Sequence, residues 1–326
     1  MQQSKKIIFD RFQFLLKVIL GISAAGFIIY SMAGKIETGS WWEELRASAR
    51  QPGNLFLLIL VLILMPVNWF LEAVKWRFMI RKMERIPLAL SFEAVLSGLT
   101  VSFFTPNRIA EFAGRVFLLR SADRVRATIV TIWETYSQLI VTLIAGFLSG
   151  IIYCIRYEPA SSKFLILVIA GGGICSVLLL VFYFNIAVLG KIASRLRLPL
   201  KWINYFGVTG DYRKRELAYV LFLALLRYLV FTLQFYLLLI LFGLQLPYLE
   251  VQPVLGLTYL AMAIIPTIAW TELGVRGAVA IYFFKTITPD FFSVISASFA
   301  LWFINLALPA LIGSVFILRF RFKKEN

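Results

Sequence analysis

Six stretches of this chain, residues 12–33, 54–74, 128–152, 164–184, 217–242 and 292–318, each run for about 20 residues or more with scarcely a charge. At a rise of about 1.5 Å per residue such a run makes a helix of roughly 30 Å or more, the thickness of the hydrocarbon core of a bilayer. In that solvent a lone segment has to satisfy its own backbone N–H and C=O groups, which selects the α-helix. The composition agrees, since 60% of the 326 residues are hydrophobic and 15% are charged, an apolar excess that a soluble domain does not carry. The first run follows Lys5, Lys6 and Arg11 as a secretory signal would. It is too long for a signal core and reads as a retained span. The predicted fold class is an all-α polytopic membrane protein with six full transmembrane helices.

Two further apolar segments, 88–105 and 253–270, are each followed by a proline-marked break, a charged patch and a second short apolar stretch, 109–119 and 273–284. Each is predicted to be a re-entrant helical hairpin, with Pro106, Pro266 and Gly274 as the helix breaks. Asn107 and Thr271 are the expected N-caps of the returning helices. The net charge of +16 is topological rather than a nucleic-acid footprint. Most Lys and Arg fall in the N-terminal segment, in 75–85, 108–126 and 191–215, and in the tail 319–324. The tendency of cations to stay inside then places all of these, and both termini, in the cytoplasm of a bacterial inner membrane. That assignment holds only if 88–105 returns to the side it entered from. The order becomes span, span, hairpin, span, then the same four elements with opposite orientation: an inverted repeat within one membrane domain, with halves 1–157 and 158–326.

The halves also match locally. Pro106 precedes Glu111 and Arg115, and Pro266 precedes Glu272 and Arg276, so each hairpin carries Glu-x-x-x-Arg on one helical face. An ionisable side chain at membrane depth costs roughly 2.5–3.5 kcal/mol or more, so each needs a partner or a wet cavity. The expected set is Arg108, Arg115, Arg227 and Arg276 as cations, and Glu93, Glu111, Glu134 and Glu272 as charges that balance or gate them. Arg227 sits near the middle of its span and shares a face with Gln234, while Glu134 and Gln138 form a similar edge. The bland alternative is that Arg227 pairs with Glu134 or Glu93 only to lock helices together. The chain has no His and only two Cys, Cys154 and Cys175, set in or beside apolar runs. That excludes His-based acid/base catalysis and Cys/His metal sites, and no catalytic residue is assigned.

The stretch Thr105-Pro106-Asn107-Arg108-Ile109-Ala110-Glu111-Phe112-Ala113-Gly114-Arg115, together with Leu273-Gly274-Val275-Arg276 and the basic Lys75-Trp76-Arg77-Phe78, resembles the transmembrane region of lysyl-phosphatidylglycerol synthases, a flippase-like family that also occurs as stand-alone proteins. The resemblance covers most of the chain. It implies a lipid-translocating membrane fold with no cofactor; the soluble aminoacyl-transferase domain of the fused enzymes is expected to be absent, since no loop is long enough to fold alone. Two positions depart from the family pattern: Ala110 stands where a Gly usually precedes the acid, and Gly277 where a Glu usually follows the arginine.

The function expected from charges and resemblance together is movement or binding of a phosphate-bearing lipid, either an anionic phospholipid or a polyprenyl-phosphate lipid. Arg108, Arg115, Arg227 and Arg276 would hold the headgroup and the four glutamates would balance them. An intramembrane lipid-linked transferase is the first alternative, with carboxylates from Glu37, Glu43 and Glu44. A non-catalytic membrane partner of a lipid-modifying enzyme, recruiting through 191–215, is the second. Neither needs a nucleic acid.

Overall fold

The computed structural model describes residues 52–103, 110–157, 162–185, 195, 205, 207–265 and 269–319. Over these residues the chain is helical, without a strand. The elements are α1 (Pro52–Ile80), α2 (Leu88–Ser102), α3 (Ala110–Val116), α4 (Arg124–Arg156), α5 (Ser162–Phe184), a 3-10 turn (Val208–Asp211), α6 (Lys214–Leu241), α7 (Tyr248–Ile264), α8 (Ala269–Phe284), α9 (Phe291–Trp302), a π-helical turn (Phe303–Ala307) and α10 (Leu308–Arg319).

Five helical stretches among the described residues are long and apolar enough to cross a membrane: Gly53–Ile80, Arg124–Arg156, Leu165–Phe184, Lys214–Leu241 and Phe291–Arg319. They coincide with the second to sixth predicted spans. The first, 12–33, lies outside the described residues, as do Pro106, Asn107, Arg108 and Pro266. Pro66 sits inside α1 without ending it, and α1 runs on to Ile80, past the expected limit at 74. Lys75 therefore belongs to a helix and not to a loop. Gly274 likewise does not break its helix, because α8 begins at Ala269 and continues through it, and Thr271 lies within α8 rather than at its cap. One glycine costs about 1 kcal/mol relative to alanine, too little to interrupt a helix held by its neighbours.

Local chemistry marks the ends. Asp123 caps α4 by accepting from the N–H groups of Val125 and Arg126, and Asp290 accepts from Ser293 N–H at the start of α9. Beyond α6, Gly243 adopts φ +99°. There Leu244 N–H reaches the carbonyl of Leu239 at 2.9 Å, closing the helix through a conformation that favours glycine.

Packing gives the molecule two recognisable ends. At the first, Glu84 accepts from the N–H groups of Arg120, Ser121 and Ala122 at 2.8–3.2 Å, so the chain entering α2 lies beside the chain leaving α3. Tyr183 at the end of α5 donates to the carbonyl of Leu217 near the start of α6, which belongs to the same end. At the opposite end Arg156 donates to the Leu249 carbonyl, and Tyr153 meets Phe283 edge-on, bringing the start of α7 and the finish of α8 to the same helix terminus. Small residues let the short helices sink into the bundle. A Cβ on Gly98 of α2 would lie 2.7 Å from the Glu111 carbonyl and 2.8 Å from Arg115 Cγ of α3, and one on Gly114 would lie 2.7 Å from Gly98 Cα.

Candidate functional site

The site is built on one face of α1. Asn68, Glu72 and Lys75 follow one another by four and three residues, so they share a stripe on the helix. Each is 2% exposed or less. Glu72 is the hub: its Oε1 accepts from Arg115 Nη2 at 2.7 Å, and its Oε2 takes Lys75 Nζ at 2.9 Å and Arg227 Nη1 at 2.8 Å. Glu134 from α4 closes the second side, with Lys75 Nζ at 2.8 Å and Arg115 Nη1 at 3.1 Å. Glu111, one turn before Arg115 on α3, pairs with the same guanidinium. Three cations and three carboxylates from α1, α3, α4 and α6 thus form a neutral network. Burying any one of these charges alone would be prohibitive, whereas neutral, hydrogen-bonded burial is tolerated.

A second chain of polar groups continues from it. Arg227 Nε donates to Asn68 Oδ1 at 2.8 Å, and Asn68 Nδ2 donates to Asn305 Oδ1 at 3.3 Å. Asn305 Nδ2 in turn donates to Gln234 Oε1 at 2.9 Å, and Gln234 Nε2 ends on the Val61 carbonyl at 2.8 Å. Asn305 lies on the π-helical turn between α9 and α10. Such turns add a residue to one helical turn and re-aim a side chain, and they concentrate at functional sites.

Beside the network is a cavity of about 190 Å³ lined by Trp69, Glu72, Glu111, Phe112, Thr135, Gln138 and Arg227. Two of its lining residues also hold polar atoms that are unmatched among the described residues. Trp69 Nε1 and Gln138 Oε1 are buried without a hydrogen-bond partner. Arg227 spends Nε and Nη1 on Asn68 and Glu72, so Nη2 has no partner among the described residues. Its guanidinium lies 5.1 Å from the Trp69 ring and 5.6 Å from that of Phe231. Chemically the cavity offers the spare N–H group of Arg227 beside Glu111, with Trp69 and Gln138 in its lining. It can enclose one compact polar group that brings both negative charge and a hydrogen of its own.

The expected residues separate into groups. Arg115, Arg227, Glu111 and Glu134 meet at the network. Arg276 pairs with Glu272 at 2.6 Å on α8, so both Glu-x-x-x-Arg motifs form ion pairs one turn apart. The α8 pair is not joined to the network by any ion pair among the described residues. Glu93 is half-buried on α2 and makes no ion pair among the described residues. Arg227 pairs with Glu72, not with the Glu134 or Glu93 named in the helix-locking alternative. The residues that sequence reasoning missed are Asn68, Glu72, Lys75 and Asn305. Three of them carried a usable signal, since Asn68, Glu72 and Lys75 recur at helical spacing at the end of an apolar run.

The family model described as the Lysylphosphatidylglycerol synthase TM region matches residues 15–290, and the chain belongs to that family. No curated protein matches. No solved structure matches.

Proposed function

We propose that this member of the family carries a phosphate-bearing lipid headgroup across the membrane by way of the cavity at Arg227. The observation that carries the reading is that cavity: a guanidinium with a spare N–H pair, beside an unpartnered tryptophan N–H and an unpartnered amide oxygen, inside a bundle of membrane helices. Unmatched buried polar groups cost about 1–3 kcal/mol each, a cost that a bound headgroup would remove. Arg227 is the first contact for the phosphate. Arg115 joins only if Glu111, Glu72 and Glu134 release it, Arg108 lies outside the described residues, and Arg276 receives the headgroup on the other hairpin. The glutamates hold these cations when no lipid is present.

The packing supports two re-entrant hairpins. The unit α2–α3 starts and finishes at the end marked by Glu84, and α7–α8 starts and finishes at the end marked by Arg156 and Tyr153. Each brings a Glu/Arg pair inward from its own side, as an inverted repeat with alternating access requires. The basic end then faces the cytoplasm of a bacterial inner membrane, by the tendency of cations to stay inside. The volume of about 190 Å³ favours a small phospholipid headgroup over a sugar-bearing polyprenyl-phosphate lipid.

The test is translocation in proteoliposomes, using fluorescent phosphatidylglycerol and an impermeant quencher. The native chain is expected to expose lipid faster than protein-free vesicles, Arg227→Ala to fall to the protein-free rate, and Trp69→Phe, which removes one N–H, to slow transfer roughly fivefold. A native rate no faster than that of empty vesicles, or identical rates for the native chain and Arg227→Ala, overturns the reading.

A further inference from the structure

A second concave surface lies at the Glu84 end, outside the charge network. The last turns of α1 and the segment 81–86 face the first turns of α6 across a groove of about 820 Å³. Arg77, Arg81, Lys82 and Arg85 line it, and Phe78 and Tyr219 form an aromatic wall with ring centroids 4.7 Å apart. Two features separate this arrangement from a scatter of interface charges. The first is that its cations are held in place: Arg77 Nε donates to the Ile86 carbonyl at 2.9 Å, which leaves its two Nη groups outward. Arg81 lies 3.8 Å over the Phe78 ring, and Lys82 Nζ donates to the Asp211 carbonyl. The second is that the excess charge is not neutralised. Glu216 pairs with both Arg81 and Lys82, while Glu84 is turned away and occupied by the N–H groups of Arg120, Ser121 and Ala122. Arg85 is exposed and has no ion-pair partner among the described residues. Four cations facing one carboxylate are an anion site, and forked guanidinium groups match phosphate oxygens.

The wall says where the phosphate comes from. One turn further into the bundle, on the same faces of α1 and α6, stand Phe70 and Phe222, 47% and 53% exposed, and half-buried Val74 bridges them to the groove. A soluble anion has no use for that apolar path, whereas the acyl chains of a lipid would lie along it. We infer that this groove binds the phosphate of an anionic phospholipid from the leaflet it faces, with the tails running along α1 and α6, as a docking site separate from the Arg227 cavity. It does not depend on translocation and survives if the chain moves no lipid.

The experiment uses the full chain in detergent micelles, titrated separately with phosphatidylglycerol, phosphatidylcholine and inorganic phosphate. Binding is read by thermal stabilisation and by native mass spectrometry of retained lipid. Phosphatidylglycerol is expected to stabilise the native chain, and phosphatidylcholine and inorganic phosphate are not. Arg85→Gln should weaken phosphatidylglycerol binding about tenfold, with Arg81→Gln/Arg85→Gln weaker still, and Arg85→Lys should recover part of the loss. Lys285→Gln at the opposite end should bind as the native chain does. Equal weakening by Lys285→Gln would mean a diffuse surface charge, and stabilisation by inorganic phosphate equal to that by phosphatidylglycerol would mean a soluble-anion site. Either result overturns the proposal, as does unchanged binding in Arg81→Gln/Arg85→Gln. Loss of transfer in Arg227→Ala with groove binding intact would leave both proposals standing separately.

Discussion

Glu72→Gln is the substitution that most directly tests whether the network holds the bundle together. It keeps the shape of the side chain and removes its charge, so three cations facing three carboxylates become three facing two. Lys75, Arg115 and Arg227, which lie 2.7–2.9 Å from the Glu72 oxygens, lose a shared counter-ion at a carboxylate that is only 2% exposed. Breaking one partner out of a buried ion network costs about 3–5 kcal/mol, a large share of a total stability of about 5–15 kcal/mol. Arg227→Gln should cost less, about 1.5–3 kcal/mol, because Glu72 keeps Lys75 and Arg115. The double variant Glu72→Gln/Arg227→Gln restores neutrality, so it should be more stable than the sum of the two losses by about 0.5–3 kcal/mol. Reversible unfolding in mixed micelles of increasing SDS content, followed by the fluorescence of buried Trp69, Trp76 and Trp133, measures all three. A Glu72→Gln loss under about 0.5 kcal/mol, the range of an ordinary surface change, or strict additivity in the double variant, would refute the claim that these charges depend on one another.

Gly98→Ala and Gly114→Ala should each destabilise by about 1–3 kcal/mol in the same assay, because each methyl would press on the facing helix of the α2–α3 pair at 2.7 Å. Unchanged stability in both would show that the two helices do not pack as closely as described. Glu84 supplies a pH dependence: partial burial raises its pKa, but the N–H groups of Ser121, Arg120 and Ala122 outweigh this and hold it below the usual carboxylate value. Its contribution is therefore complete above an unfolded pKa of about 4.3 and is lost as pH falls through the lower folded value. Glu84→Gln should flatten that acid limb of the stability profile, and a limb of the same depth in the variant would assign it to other groups.

How far this was legible in the sequence follows from the range of the forces involved. Spans are set by the local ratio of apolar to charged residues, so five of them could be placed within a few residues of the helices. The ends were harder, because a helix does not stop where charge begins. Lys75 reads as the first residue of a basic loop, yet α1 continues for another turn and its partners lie on α1 itself and α4. Arg115 was legible only in part: its pairing with Glu111 follows from their spacing, whereas its two further carboxylates, Glu72 and Glu134, come from other helices, and it is 1% exposed among the three. Arg227 was singled out correctly as a charge that needs a partner. Its choice of Glu72 rests on the packing of α6 against α1, a contact separated by 155 residues, and no periodicity encodes it. Asn305 was invisible for a different reason: a π-helical turn has no composition of its own, and only the hydrogen bonds to Asn68 and Gln234 show what it positions.

The geometry also links the cavity to the packing of the helices around it. Arg227 is at once the cation with a spare N–H on the cavity and the residue that ties α6 to α1 through Glu72 and Asn68. On the proposed reading, a phosphate entering the cavity competes with Glu72 for the same guanidinium. In a medium of low dielectric that competition is strong, because each anion gains most where water is excluded. Glu72 need not be left bare when Arg227 turns away, since Lys75 and Arg115 already flank it. On the same reading, a headgroup arriving at Arg227 loosens the contact between α1 and α6 and leaves Lys75 and Arg115 to hold Glu72, Glu111 and Glu134. That remainder is one cation short, so the headgroup's own contacts have to offset the loss, whereas a plain two-residue salt bridge would leave its carboxylate with no cation at all.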